Sequence, residues 1–515
     1  LGGARAEKGA GIVAGFFAGH PGAGGSLAGP ACSAGGGFCF EQRGVWAAYF
    51  LLVEEQGDFR SIMKEDQTQG RSGVSRRTFL HKTSLAVAGT AAVSGFPFVI
   101  TSRAEPDDPI RVGVIGCGGR GGGAVLDVLG VRTEVVYPRE GYHTETVKEG
   151  ATVTRKNVSV IALADLFPDR LAACRQNLAR VGITVPDDHC FTGFDAYKQL
   201  LAIPEVNYVI LATPPHFRPM HLMAAVQAGK HVFMEKPVAV DAPGVRMVME
   251  AGRIAKEKGL GIVAGTQRRH MRSYNETIKR IRDGALGELM YGTCYWNGGV
   301  IWVVERRPEW SDMEWQIRNW NYFTWLSGDH IVEQHVHNLD IMNWVIGAHP
   351  IRARALGGRQ ARPPGPTYGH IYDHFAVEYE YPNGIRVFSQ CRQMDHCDNL
   401  VGEFIAGTNG TSNCQSWIRV KGGETWRFRE PEVNAYEQEH LDLIESIRRG
   451  EPLNEAQAIA ESTFAGIMGR ESAYSGKTVE WDSLIKSERR LGPDKYEFGP
   501  LPFPEVPIPG RYRLG

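Results

Sequence analysis

Ile110-Arg-Val-Gly-Val-Ile115, followed directly by Gly116-Cys117-Gly118-Gly119-Arg120-Gly121, decides the fold. Six mostly apolar residues read as a buried strand. The glycine-rich turn then feeds a helix, predicted from about Gly122. The spacing Gly116-x-Gly118-x-x-Gly121 lets backbone amides approach a pyrophosphate at the helix N-terminus. In that strand–turn–helix context it points to dinucleotide binding.

Working outward, the chain alternates. Strands are predicted at Val158–Ala164, Tyr208–Ala212, His231–Met234 and Gly261–Gly265. Helices are predicted at Pro168–Val181, Ala196–Leu201, Pro219–Ala228 and Pro243–Lys258. Such alternation implies a Rossmann-type doubly wound parallel sheet. Residues 131–157 are polar, include Tyr137-Pro-Arg-Glu-Gly141, and read as an inserted irregular loop. After about Gln267 the pattern changes to a helix at Tyr274–Asp283 and strands at Leu289–Asn297, Ile351–Leu356, Ala376–Tyr381 and Ile385–Arg392. These predict an α+β domain with a mostly antiparallel sheet. Residues 434–475 read as helix, broken at Gly450-Glu-Pro452. The segment from Leu491 to Gly515 carries six prolines and reads as an extended tail on the surface or on a neighbour.

The 515 residues are 43% hydrophobic and 22% charged, ordinary for a globular chain. Lys plus Arg (57) nearly cancels Asp plus Glu (58), so no basic excess points to nucleic acid. The nine cysteines form no C-x-x-C. Cys391 and Cys397 could approach each other, but buried thiols are the simpler reading.

The N-terminus carries a second message. Residues 1–62 are rich in Gly and Ala and read as a spurious or disordered leader, with Met63 the more natural start. Ser75-Arg76-Arg77-Thr78-Phe79-Leu80 precedes an uncharged stretch, Thr83 to Ile100, and then Ser102-Arg103-Ala104. Residues 63–104 therefore resemble a twin-arginine export signal. Gly89, Gly95 and Pro97 interrupt the apolar stretch, which favours a removed signal over a membrane anchor. The expected compartment is periplasmic or exported, with membrane contact only during export. The organisation expected is then 105–267 for the dinucleotide domain, 268–480 for the substrate and oligomerisation domain, and 481–515 for the tail.

The candidate chemistry begins at Glu235-Lys236-Pro237, which closes the apolar run His231-Val-Phe-Met234. A lysine at the end of an interior strand is costly to bury and is rarely placed there for packing. The adjacent proline fixes φ and allows a cis bond, so the ammonium is aimed. Asp165, at the end of the second long strand, suits a ribose 2′-hydroxyl and repels a 2′-phosphate, so NAD is expected over NADP. It lies beyond the usual ~20 residues from the glycine turn, and the 131–157 insertion accounts for the excess. Arg120 could blur the preference by reaching a phosphate. Thr213-Pro214 ends another strand, where loops line the cofactor crevice. His216 follows, either packing on the cofactor or solvated.

The run Gly328-Asp-His-Ile-Val-Glu333-Gln-His335-Val-His337-Asn-Leu-Asp340 is the second cluster. On one helix, Glu333, His337 and Asp340 share a face. Metal ligation by His330, Glu333, His335 and His337 is an alternative, weakened because His335 and His337 would face different sides. A hydrogen-bonded core helix is the other. Trp296, Trp302, Trp310, Trp315, Trp320 and Trp325 crowd one segment. They would suit pyranose faces or packing equally, with Trp320 or Trp325 expected at the substrate.

Several stretches together resemble the Gfo/Idh/MocA family, which includes glucose–fructose oxidoreductase and inositol dehydrogenase. They are Val112–Gly121, Ala212-Thr-Pro214, Ala228-Gly-Lys-His231, Glu235-Lys-Pro237, Gly265-Thr-Gln-Arg268, Glu437-Gln-Glu-His440 and Gly476-Lys-Thr-Val-Glu-Trp481. The resemblance covers residues 110–480. It implies NAD or NADP binding through Gly116, Cys117, Gly118, Gly119, Arg120, Gly121, Asp165, Thr213, Pro214, His216, Glu235 and Lys236. It implies a carbohydrate or polyol substrate and a homodimer or homotetramer formed through the second sheet. It further implies that His337 takes a hydroxyl proton while Lys236 stabilises the alkoxide, with Glu333 where the family usually has Asp. His335 replaces a usually small residue. Behind an export signal, a tightly bound cofactor and a redox-neutral cycle are expected. A redox-neutral glycosidase or lyase working through a keto-sugar is the alternative.

Overall fold

The computed structural model describes residues 108–136 and 144–514. The leader at 1–62, the export segment at 63–104, a mature start near Glu105 and the loop tip at Tyr137–Gly141 lie outside the described residues. No helix among the described residues is long and apolar enough to cross a membrane.

The first layer is a parallel sheet. Its strands in chain order are β1 (Ile110–Ile115), β4 (Val158–Asp165), β5 (Cys190–Thr192), β6 (Tyr208–Leu211), β7 (His231–Met234) and β8 (Ile262–Ala264). They lie side by side as β5-β4-β1-β6-β7-β8. Two further strands, β2 (Thr133–Val136) and β3 (Thr144–Val147), form a separate antiparallel pair. The insertion at 131–157 is thus a hairpin at its centre, not an irregular loop. Its strands are only four residues long, and their polar Thr/Glu composition hides the pairing.

Helices α1 (Gly119–Val128), α2 (Pro168–Arg180), α3 (Ala196–Leu201), α4 (Arg218–Gln227) and α5 (Ala242–Glu257) flank this sheet. α1 starts three residues before the predicted Gly122, because the glycine turn is tight enough to enter helix at once. The central strands are buried on both faces, with Val112, Val114, Val209, Ile210, Val232 and Phe233 all at 0% exposure. That burial explains their unbroken apolar runs.

The second sheet has nine strands: β9 (Leu289–Gly298), β10 (Arg352–Gly358), β11 (His374–Glu380), β12 (Arg386–Gln393), β13 (Leu400–Gly407), β14 (Gly410–Ser412), β15 (Trp417–Val420), β16 (Thr425–Arg427) and β17 (Val479–Glu480). Their order is β16-β15-β14-β13-β9-β12-β11-β10-β17. All pairs are antiparallel except β9 with β12. The sequence marks four of these strands. The others pair over long sequence distances or are only two to four residues long, which periodicity does not detect.

Helix α6 (Arg272–Arg280) leads into this sheet, and α7 (Asp312–Arg318), α8 (Thr324–Ser327), α9 (His330–Glu333) and α10 (Val336–Ile346) lie between β9 and β10. The long helical stretch is α11 (Ala435–Arg448) and α12 (Ala456–Ser475), parted around Gly450–Pro452. α11 returns to the first layer. Its Leu443, Ile444 and Ile447 join the core built by β1, β4 and α1. The tail after α12 follows the surface of the same chain.

Candidate active site

A cavity of about 290 Å³ opens at the carboxyl ends of the parallel strands, between the first sheet and helices α7 to α10. Its floor is the glycine turn. Gly116 has φ +97°, and a Cβ there would sit 2.7 Å from the Ala212 carbonyl carbon and the Thr213 nitrogen. A Cβ on Gly121 would lie 1.7 Å from the Gly116 oxygen. Only glycine permits this strand, turn and helix to pack. Gly118 caps α1 without any side-chain hydrogen bond. Gly116, Gly118, Gly119 and Arg120 line the cavity. The helix start, without a side-chain cap and facing the cavity, fits a dinucleotide's pyrophosphate.

Two residues of the turn act from behind it. Gly121 packs on Gly116. The Cys117 side chain is buried in the core, and its backbone N–H donates to Asp165 Oδ2 at 2.6 Å. Asp165 lines the cavity, and its Oδ1 accepts from the Phe167 N–H at 2.8 Å. Burial raises the Asp165 carboxyl above its ordinary range, against the pull of Arg170 and these two amides. Arg120 is taken up by carboxylates. It meets Glu235 at 2.8 Å and Glu145 at 2.6 Å.

The end of β7 supplies Glu235 and Lys236, both on the cavity wall. The Lys236–Pro237 bond is cis. Lys236 Nζ donates to the Glu333 backbone oxygen at 2.7 Å and to Glu333 Oε1 at 2.9 Å. Arg218, buried beside it, donates to the Thr213 and Pro237 carbonyls and so ties two strand-end loops together. Thr213 and Pro214 line the cavity, and Thr213 Oγ1 pairs with His221 Nδ1 at 3.2 Å. His216 does not line it. Its Nε2 meets the Tyr496 hydroxyl at 2.8 Å, and its ring stands edge-on to Trp325. The tail claims this histidine, which corrects the expectation that His216 packs on the cofactor. Burial lowers its imidazole to about 4.

Residues 330–340 are not one helix. The His335 N–H reaches back to the His330 oxygen, a wide turn, and the His337 N–H bonds Gln334. This break separates α9 from α10. Glu333 and His337 both still line the cavity. Asp340 turns away to Arg269, at 2.8 Å, and to Ser462. The three histidines diverge as well. His330 pairs with Asp329 at 3.0 Å, and His335 Nε2 pairs with Ser389 Oγ at 2.6 Å. No metal-holding group of His, Cys, Asp and Glu occurs among the described residues.

His337 stacks on Trp296 with ring centroids 5.6 Å apart, and its Nδ1 has no hydrogen-bond partner among the described residues. Burial pushes its pKa well below the ordinary value, helped by the charges of Lys236 and Arg268. It is therefore a neutral imidazole, able to accept a proton.

Of the tryptophans, Trp296, Trp302 and Trp320 line the cavity. Trp325 is buried behind it, with Nε1 donating to Gln316 Oε1 at 2.8 Å, so only one of the two expected tryptophans reaches the site. Gln334 and Asn321 also line the cavity and carry no motif that sequence reasoning could use. The Asn321 amide has no partner at either end among the described residues. Gln334 Oε1 accepts from Gln393 Nε2 at 2.9 Å, which leaves its own NH₂ for the cavity.

Two family models match the chain. One, described as the oxidoreductase family with an NAD-binding Rossmann fold, matches residues 110–266, and the GFO/IDH/MocA C-terminal domain matches residues 274–413. An uncharacterized oxidoreductase of Streptococcus pneumoniae is 25% identical over 44% of this chain and 59% of its own length. The match therefore spans less than two thirds of that relative. Inositol 2-dehydrogenase of Pseudomonas fluorescens is 25% identical over 58% of this chain and 81% of its own. Among solved structures, aldose-aldose oxidoreductase from Caulobacter crescentus, complexed with glycerol, superposes with a TM-score of 0.54 at 18% identity. That superposition covers 72% of this chain and 99% of the other, and it establishes a shared fold.

Proposed function

The chain belongs to the GFO/IDH/MocA oxidoreductase family, and from that premise we propose that it oxidises a secondary hydroxyl of a sugar, inositol or glycoside with NAD(P). One observation carries the reading. The neutral His337 imidazole and the Lys236 ammonium, held by Glu333, wall the same cavity as the glycine turn. His337 accepts the hydroxyl proton. Lys236 donates to the same oxygen as charge develops on it, and Glu333 keeps the ammonium in place. Hydride acceptance is the chemistry that a bound nicotinamide supplies. The glycine turn and Asp165 hold the dinucleotide, and the Asp165 carboxylate favours NAD over NADP. Trp296, Trp302 and Trp320 offer flat faces suited to a carbohydrate ring. Inositol 2-dehydrogenase among the relatives agrees with this substrate class.

An outer-face patch of the second sheet supports a homo-oligomer. Tyr291, Leu356, Phe388 and Leu400 lie on that face and are 43%, 78%, 48% and 50% exposed. Export by the twin-arginine route, and with it a retained cofactor in a redox-neutral cycle, is proposed on the sequence alone. Mass spectrometry of the mature protein tests the N-terminus and any bound nucleotide together.

The deciding assay incubates purified protein with NAD or NADP and a panel of inositols, aldoses and glycosides, following nicotinamide absorbance and products. Reduction of the nucleotide with at least one polyol is expected. Aglycone release without net reduction would instead favour the glycosidase or lyase chemistry. A protein that binds neither nucleotide would overturn the reading.

A further inference from the structure

The segment after Leu484 lies beyond the stretches matched by both family models, yet it is bound to the cavity wall. Its prolines keep it extended and reduce the entropy lost on docking. The Leu491 N–H donates to Asp241 Oδ2 at 2.8 Å, which fixes where the tail begins. The Tyr496 hydroxyl meets His216, and its ring lies 5.4 Å from Phe217 and 6.1 Å from Phe194. The Phe498 ring lies 5.3 Å from Phe194 and 6.1 Å from Phe167, nearly parallel to the latter.

Phe167, Phe194 and Phe217 all line the cavity. Phe167 stands two residues past Asp165, and Phe194 follows β5, so both belong to strand-end loops on the ribose side of the crevice. Past Phe498 the tail crosses to the other wall. The Gly499 oxygen accepts from Met313 N–H at 3.2 Å, and Leu501 exchanges bonds with Asp312 and Gln316 on α7. Ile317 of the same helix lines the cavity. The tail thus joins the two sides of the crevice from outside, and the loops that flank the ribose cannot swing outward without parting from it.

Resting on the nucleotide-binding reading above, we propose that the C-terminal tail is the outer wall of the dinucleotide crevice, with Tyr496 and Phe498 as positioning residues that hold the Phe167 and Phe194 loops shut and slow nucleotide exchange. Tyr496 is 37% exposed and Phe498 49%, so each ring gives up part of its own burial to stand there.

The test is NADH dissociation from the full-length protein by stopped-flow fluorescence, with melting temperature alongside. With both rings removed, the Tyr496→Ala/Phe498→Ala double variant should release NADH about tenfold faster. Phe503→Ala is the control. Phe503 packs on Phe323 and His370, neither of which lines the cavity. It should leave the off-rate within about twofold of the parent value while costing a similar loss in melting temperature. An unchanged off-rate in a folded double variant, or equal acceleration in the control, overturns the proposal while leaving the functional reading intact. A parent protein that does not bind NADH overturns both.

Discussion

Glu333 holds the Lys236 ammonium twice, through its backbone oxygen at 2.7 Å and its carboxylate at 2.9 Å. The two side chains are 11% and 14% exposed, so the pair is largely out of water. Removing one partner strands the other charge, which costs about 3–5 kcal/mol for a buried pair. Lys236→Met should therefore lower both stability and turnover, the latter by roughly 10²–10⁴-fold. Adding Glu333→Gln should restore much of the melting temperature but none of the activity. If the double variant recovered turnover, Lys236 would be structural and not catalytic.

His337 sets the pH behaviour. A free histidine titrates near 6.5, but burial and the neighbouring Lys236 and Arg268 hold His337 well below that. The proton-accepting form therefore persists as pH falls through 6.5. The profile of kcat/KM should show no acid limb near 6.5, only one displaced well below it. His337→Asn should reduce kcat by roughly 10²–10⁴-fold without unfolding the protein. An acid limb centred near 6.5 that vanishes in this variant would contradict the assigned neutral state.

Gln334 is oriented by a relay that starts two strands away. Buried Arg362 donates to Gln393 Oε1 at 2.5 Å, and Gln393 Nε2 donates to Gln334 Oε1 at 2.9 Å. The Gln334 amide is thereby locked with its NH₂ toward the cavity, a fixed donor for a substrate hydroxyl. Losing one such bond is worth about 1 kcal/mol, roughly fivefold in affinity. Gln334→Leu should raise KM by about that factor with kcat little changed. Gln393→Leu, which touches no substrate, should produce part of the same shift. A change confined to kcat would place Gln334 in the chemistry and not in substrate binding.

These residues also show where the sequence can and cannot be read. The glycine turn, Asp165 and Lys236 are legible because each sits at a strand end, and the turn geometry admits only glycine, whereas His337 is singled out through the family resemblance. The Lys236–Glu333 bond is not, since it joins positions 97 apart through the packing of two domains. The wide turn at His335 is hidden for a different reason. Helical spacing assumes an unbroken register, and here one backbone bond to His330 shifts it, turning Asp340 away from the site. His216 misleads because the tail that captures it lies 280 residues downstream. Gln334 and Asn321 have ordinary side chains in unremarkable context, and only their unshared hydrogen-bonding capacity inside a cavity identifies them.

His270 offers a test of how α11 is fastened to the first layer. It lies in the turn just after β8, and its Nδ1 meets Asp442 of α11 at 2.6 Å while Nε2 stands 3.6 Å from Glu455. Burial alone would lower its pKa, but the hydrogen bond to Asp442 and the nearby charges of Glu455 and Glu439 outweigh it and raise the imidazole to about 10. In the unfolded chain it titrates near 6.5. Because the folded value is the higher, the stabilisation is complete below about 6.5 and is lost as pH rises from there through about 10. Melting temperature should thus fall between neutral and alkaline pH. In His270→Gln it should start lower and lose this dependence, since glutamine keeps a hydrogen bond to Asp442 but carries no proton to release. Thermal melts of both proteins from about pH 6 to 10 decide the matter, and parallel curves would show that the His270 charge does not fasten α11 to the turn.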